Sequence, residues 1–105
     1  MELKDIKAVY FIGAGGIGMS AIARYFIHRG IVVAGYDKTP STLTKQLEKE
    51  GMLIHYDENI DEIPHACRDK ASCLVVYTPA IPEAHKELTW FRNNGFEVQK
   101  RAQVL

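Results

Sequence analysis

Gly13, Gly15 and Gly18 fit the spacing G-x-G-x-x-G directly after the apolar run Val9-Tyr10-Phe11-Ile12, with Gly16 as a fourth glycine in the same loop. The chemistry such a loop offers is anion binding by bare main chain. A phosphate needs N–H donors and positive partial charge, and the first turn of a helix has both. Gly13 would allow a sharp exit from a strand, Gly15 would remove a Cβ where a diphosphate approaches, and Gly18 would let the next helix sit close to the sheet. Asp37 follows nineteen residues after Gly18, at the end of a second apolar run. A carboxylate there can accept both hydroxyls of a ribose. It also repels a 2′-phosphate, so NAD or another nucleotide suits the site better than NADP. The bland alternatives are a ligand-free glycine connector and, for Asp37, a solvated turn residue before Lys38.

Other residues could join the same site. Ser20 lies in the first turn after the loop and could donate to a phosphate oxygen. Thr78 and the N–H groups around Ala80 could form a second wall, or simply connect a strand to a helix. His55 falls at the end of a third short strand, and Arg101 could reach an anion near the end of the chain. His28, His65 and His85 have no partners at metal or catalytic spacing and receive no role. No G-x-x-x-x-G-K-[ST] loop is present to grip ATP, and no Ser-His-Asp set, Cys-His pair or metal cluster is visible. The residues read as able to bind and unable to catalyse alone, with no catalytic residue and no metal ligand.

The elements that must position these residues alternate. Residues 7–12 predict a central strand, 16–29 a helix with Ala21, Ile22, Tyr25 and Phe26 on one face, and 31–36 a second strand. Thr39-Pro40-Ser41 opens a second helix with Leu43 and Leu47 inward and Gly51 at its stop. A short strand at 52–55 precedes an irregular helix plus loop over 57–71. Residues 73–77 predict a buried strand, and 83–94 a helix with Ala84, Leu88 and Phe91 inward and Pro82 in its first turn. A last strand lies near 96–99, and 101–105 reads as the opening of another helix, as in a fragment cut at a domain boundary. The implied fold is α/β: a Rossmann-like, doubly wound parallel sheet of about five strands with helices on both faces. Ligands in such sheets bind beyond the carboxyl ends of the strands, so residues 13–18, Asp37, His55 and the 78–82 loop should share one rim.

Composition sets the outer bounds. The 105 residues suffice for one core, and 13 basic against 13 acidic residues offer no bulk charge for nucleic acid or an anionic membrane. No apolar run is long enough to cross a bilayer, and the first residues lack the form of a signal peptide, which points to the cytoplasm. Cys67 and Cys73 lack the partners of a zinc site and read as reduced thiols.

The loop sequence carries more than a spacing. Phe11-Ile12-Gly13-Ala14-Gly15-Gly16-Ile17-Gly18-Met19-Ser20-Ala21-Ile22-Ala23 closely resembles the N-terminal signature of the Mur ligase family, in its UDP-N-acetylmuramate–L-alanine-ligating branch. Val33 to Asp37, Gly51 to His55, Val75 to Ile81 and Lys100 to Leu105 resemble further family segments, so the likeness runs the length of the chain. It implies an ATP-dependent ligase that joins L-alanine to the lactyl carboxylate of UDP-N-acetylmuramate through an acyl phosphate, in peptidoglycan synthesis. It also implies that residues 1–105 are its N-terminal UDP-sugar-binding domain, with the ATP- and magnesium-binding central domain and the C-terminal domain outside the sequence. Substrate contacts would fall on Gly13, Gly15, Gly16, Ile17, Gly18, Met19, Ser20, Asp37, His55, Thr78, Ala80 and Ile81. Two departures stand out: Ala14 replaces a common isoleucine, and Thr78-Pro79 replaces two serines, where Pro79 has no N–H to donate. A related recycling ligase that adds a peptide to the same sugar nucleotide would look similar here. The glycines and Asp37 alone would also suit an NAD-binding domain of a dehydrogenase or regulator.

Overall fold

A computed structural model describes residues 1–16 and 18–104. Five parallel strands form one sheet: β1 (Ala8–Ile12), β2 (Val32–Tyr36), β3 (Leu53–His55), β4 (Cys73–Tyr77) and β5 (Glu97–Lys100), in the order β3-β2-β1-β4-β5. The order reverses direction between β1 and β4, so a crevice must open above their carboxyl ends. β1 and β4 are buried along their whole length. A strand covered on both faces has no polar side to show, which is why both segments are almost uninterrupted apolar sequence.

Alternation along β1 sends its side chains into two cores. Val9 and Phe11 pack with Met19, Ala23, Phe26, Leu47 and Val76 under α1 (Met19–His28) and α2 (Thr42–Lys49). Ala8, Tyr10 and Ile12 pack on the opposite face with Val75, Leu88 and Phe91 under α3 (Lys86–Asn93). Cys67 and Cys73 are buried free thiols in this second core. A bidentate ion pair from Arg24 to Glu50, at 2.8 and 3.0 Å, ties α1 to the end of α2. Ser41 caps α2 by accepting the Thr44 N–H, and Thr44 Oγ1 accepts the Ser41 N–H in return.

The structure corrects several sequence expectations. α1 begins at Met19 instead of residue 16, and its inward face is Met19, Ala23 and Phe26, while Ala21 and Tyr25 face solvent. Residues 57–71 form no α-helix; 3₁₀ turns at Ile60–Glu62 and His65–Cys67, on either side of Pro64, carry the chain from β3 across to β4. Proline removes the donor a longer helix would need there. α3 begins at Lys86, so Pro82 and Ala84 lie in an exposed turn before it. Residues 101–103 form a single 3₁₀ turn, and Leu105 lies outside the described residues. No described helix is long and apolar enough to cross a membrane.

Candidate functional site

The glycine loop is sewn to the end of β2 before any ligand is considered. Gly13 turns the chain out of β1 at φ 96°, a conformation that a Cβ makes costly. The Gly13 and Ala14 N–H groups both donate to the Tyr36 carbonyl at 2.8 Å, and Gly16 N–H donates back to Gly13 at 2.9 Å. Gly15 N–H donates to Asp37 Oδ2 at 2.6 Å, while Asp37 Oδ1 accepts from Thr39 N–H at 3.1 Å. Asp37 therefore clasps the loop tip to the turn after β2. A Cβ on Gly15 would stand 2.8 Å from Asp37 Oδ2 and 3.1 Å from Thr44 Cγ2, closer than a carbon tolerates. Gly15 makes room first of all for this carboxylate.

Gly18 opens α1 as its N-cap at φ 79° with no side-chain cap. The sequence argument gave it close helix–sheet packing. The structure instead places the Arg101 guanidinium where a Gly18 side chain would be. Among the described residues no carboxylate pairs with Arg101, although it stands at the positive end of a helix dipole.

The opposite wall comes from the turn after β4. Thr78 is buried, with Oγ1 2.9 Å and Cγ2 2.6 Å from where Cβ atoms of Gly13 and Gly16 would fall. Ile81 N–H donates to the Thr78 carbonyl at 3.1 Å, which shapes the turn that also carries exposed Ala80. Between the walls lies a cleft of about 510 Å³ that reaches Tyr36, Asp37, Ile81 and His85. A second recess of about 530 Å³ continues past Gly15 and Thr78 to Lys100 and Arg101. Either volume suits a small ligand. A larger shallow groove of about 860 Å³ runs along α2 from Pro40 to Lys49, away from the glycine loop.

Gly13, Gly15, Gly16, Asp37, Thr78, Ala80 and Ile81 thus line the cleft together. Gly18 stands beside Arg101 at the start of α1, and Ser20 is half-buried in its first turn. Met19 can present only main chain, because its side chain is fully buried in the core. Ile17 lies outside the described residues. His55 does not join the group. Its ring borders a separate recess with Met52, Glu62 and Pro64, and its Nε2 is spent on a buried network.

That network centres on Glu87, a fully buried carboxylate in the first turn of α3. The Tyr10 hydroxyl donates to Glu87 Oε1, His55 Nε2 lies 2.7 Å from Oε2, and Asn59 N–H donates to Oε2 at 3.0 Å. Tyr10 also reaches His55 Nε2 at 3.2 Å. Burial, then the neighbouring Glu87 charge, drives the Tyr10 hydroxyl well above the ordinary tyrosine range. Sequence reasoning missed Glu87, because a charged residue beside an apolar helical stripe looks like solvent-facing surface.

It also missed His85, the N-cap of α3, which is only 3% exposed. Glu87 N–H donates to its Nδ1 at 3.2 Å. An accepting Nδ1 puts the ring proton on Nε2. Burial lowers the His85 pKa, which keeps the ring neutral. Its Nε2 is buried and finds no partner among the described residues. An unpaired buried donor costs about 1–3 kcal/mol. The ring stands edge-on to Tyr36, with centroids 4.6 Å apart.

A parallel sheet that switches direction beneath a glycine loop defines the doubly wound α/β class. Within that class the chain belongs to the Mur ligase family: the model described as "Mur ligase family, catalytic domain" matches residues 8–105. Over all 105 residues the chain is 60% identical to the UDP-N-acetylmuramate–L-alanine ligase of Phocaeicola vulgatus and 59% identical to that of Parabacteroides distasonis. It spans 23% of the length of each, and the match falls in their N-terminal part. The crystal structure of the UDP-N-acetylmuramate-alanine ligase from Thermotoga maritima superposes with a TM-score of 0.79 at 28% identity, covering 91% of this chain and 21% of that one. The Neisseria meningitides UDP-N-acetylmuramate:L-alanyl-gamma-D-glutamyl-meso-diaminopimelate ligase shares the fold, with a TM-score of 0.76 at 19% identity over 93% of this chain and 29% of that one.

Proposed function

We propose that this chain is the N-terminal substrate-binding domain of an ATP-dependent ligase that joins L-alanine to UDP-N-acetylmuramate in peptidoglycan synthesis, in the cytoplasm, and that its cleft holds the UDP moiety. The observation that carries this reading is the convergence of the glycine loop, Asp37 and the 78–81 turn on one cleft at the switch point. High identity to ligases of that name supplies the chemistry of the ligand.

The diphosphate would lie along residues 15–20, near the start of α1, with Ser20 as a donor and Arg101 as counter-charge. Asp37 already spends two acceptor sites on main chain. A carboxylate has about four, so ribose hydroxyls can still be accepted there. ATP, magnesium and L-alanine would be handled by the rest of the longer protein. This chain has no G-x-x-x-x-G-K-[ST] loop for a triphosphate, and the domain by itself would not catalyse ligation.

Calorimetric titration of the chain with UDP-N-acetylmuramate, UDP and NAD tests the reading. Binding of both uridine ligands is expected, with NAD weaker than either. NAD as the preferred ligand would transfer the chain's cleft to a redox cofactor and end the proposal. Gly15→Val should weaken UDP at least about tenfold, because its branched side chain displaces Asp37 and fills the approach to the loop. Undiminished affinity in that variant would remove the loop from the site.

A further inference from the structure

The donors of the glycine loop are largely spent before any anion arrives. The Gly13 and Ala14 N–H groups go to the Tyr36 carbonyl, Gly16 N–H to the Gly13 carbonyl, and Met19 N–H to the Gly16 carbonyl at 3.1 Å. Those acceptors are main-chain groups, fixed by the fold. Gly15 differs from them: its N–H is held by a side chain, with Asp37 Oδ2 at 2.6 Å. A side chain can turn aside without moving a strand. Asp37 is half-buried and lines the cleft together with Gly15, so any exchange at this N–H takes place on the cleft's own wall. The other carboxylate oxygen is anchored separately, by the Thr39 N–H at 3.1 Å.

A carboxylate oxygen on a loop amide is itself an anion in the place a phosphate oxygen would take. Two anionic acceptors on one N–H repel each other, and hydrogen bonds to ionised groups are among the stronger ones. A bare inorganic anion must therefore break such a bond and then lie against the displaced negative charge, with no donor to offer it. An anion tethered to a ribose brings hydroxyl donors of its own, and the carboxylate can trade the Gly15 N–H for them. We propose that Asp37 is a specificity-determining gate of the glycine loop, which holds the Gly15 N–H against inorganic phosphate and pyrophosphate and yields it to a diphosphate whose ribose takes over the carboxylate. This rests on the reading of the cleft as a uridine-nucleotide site, and adds to it what the cleft turns away. Glu58 supplies the contrast. It lines the same cleft with the same charge, but its bond, at 2.8 Å, is made to the Lys86 N–H of α3 and not to the loop.

The chain is titrated with inorganic pyrophosphate and with UDP as wild type, Asp37→Asn and Glu58→Gln. Each amide keeps the shape of the carboxylate and removes its charge. Pyrophosphate should bind Asp37→Asn at least about tenfold more tightly than wild type, while UDP gains far less, so the preference for UDP narrows. Glu58→Gln should leave pyrophosphate within about twofold of wild type, because a charge that does not contact the anion is screened by salt. In ¹H–¹⁵N spectra of the wild-type chain, UDP should move the Gly15 amide, and pyrophosphate at the same concentration should leave it in place. That measurement keeps the proposal testable even if Asp37→Asn fails to fold. Equal gains for pyrophosphate in Asp37→Asn and Glu58→Gln would reduce Asp37 to general charge repulsion and overturn the inference. So would a pyrophosphate affinity unchanged by Asp37→Asn, or a wild-type Gly15 amide moved as far by pyrophosphate as by UDP. Absence of UDP binding to the wild-type chain, with pyrophosphate gained in Asp37→Asn alone, would instead defeat the uridine reading and uphold the gate against inorganic anions.

Discussion

Glu87 and His85 are two residues apart at the start of α3, and both are buried, yet their polar atoms meet different ends. Glu87 has every neighbour a carboxylate could want: a tyrosine hydroxyl, a histidine nitrogen and a main-chain amide, drawn from β1, β3 and the loop after it. His85 has one partner on Nδ1 and, among the described residues, none on Nε2. A closed network rigidifies the fold and offers nothing to a ligand. An open one leaves a buried donor unpaired. The carboxylate ties β1, β3 and the loop after it to α3, and the imidazole caps α3 through Nδ1.

Removing the closed network should therefore have the largest effect on stability and none specific to ligand chemistry. Glu87→Ala leaves the Tyr10 hydroxyl, His55 Nε2 and the Asn59 N–H without their acceptor at once. The expected cost is about 3–5 kcal/mol in urea unfolding, a large share of a small domain's total. Glu87→Gln keeps one acceptor oxygen and should lose clearly less. If Glu87→Ala cost under about 1 kcal/mol, water would be replacing the carboxylate, and the contrast between the two regions would fail.

Asp37→Ala comes next, because it opens a clasp at the surface end of the cleft where solvent can compensate. Two hydrogen bonds to a charged group are lost, from Gly15 and Thr39. A stability loss of about 1–3 kcal/mol is expected. Faster hydrogen exchange should appear at the Gly15 amide, while the Glu87 network stays protected. Unchanged exchange at Gly15 would show that the clasp does not form in solution.

The sheet was largely legible in the sequence, because β1 and β4 are apolar from end to end and the glycines at 13, 30, 51 and 95 mark where the chain must turn at positive φ. Lining of the cleft by Gly13, Asp37 and Thr78 also followed from topology, since strand ends in such a sheet share one edge. What stayed hidden were pairings set only by tertiary packing. Asp37 could be placed at the rim, but not seen to spend an oxygen on Gly15. Arg101 could be imagined near an anion, but its packing over Gly18 spans the whole fold. Glu87 needs Tyr10, seventy-seven residues away, before its burial makes sense. His55 sits at the carboxyl end of β3 as its strand implied, but its Nε2 is paired with Glu87 and it lines a separate recess, a pairing no local pattern encodes. The crossover at 57–71 was legible only as an irregular helix plus loop, because three-residue 3₁₀ turns are too short to carry a helical period.

His85 gives the smallest stability effect and the sharpest comparison, because it titrates where Glu87 stays paired. Burial lowers its pKa below the ordinary 6.5, with Glu58 and Glu87 pulling upward and His55 adding to the depression. The unfolded chain therefore takes up a proton at a higher pH than the folded one. Stability from this group is fully present above about 6.5 and is lost as pH falls through the folded value. A proton on Nδ1 would also expel the Glu87 N–H, which needs that lone pair. Melting temperature of the wild type should decline from pH 7 toward pH 5, and His85→Gln, which has no proton to gain, should show a shallower decline over that interval. Parallel declines in the two proteins would mean that His85 is charged or solvated in the fold, and the contrast with Glu87 would fail.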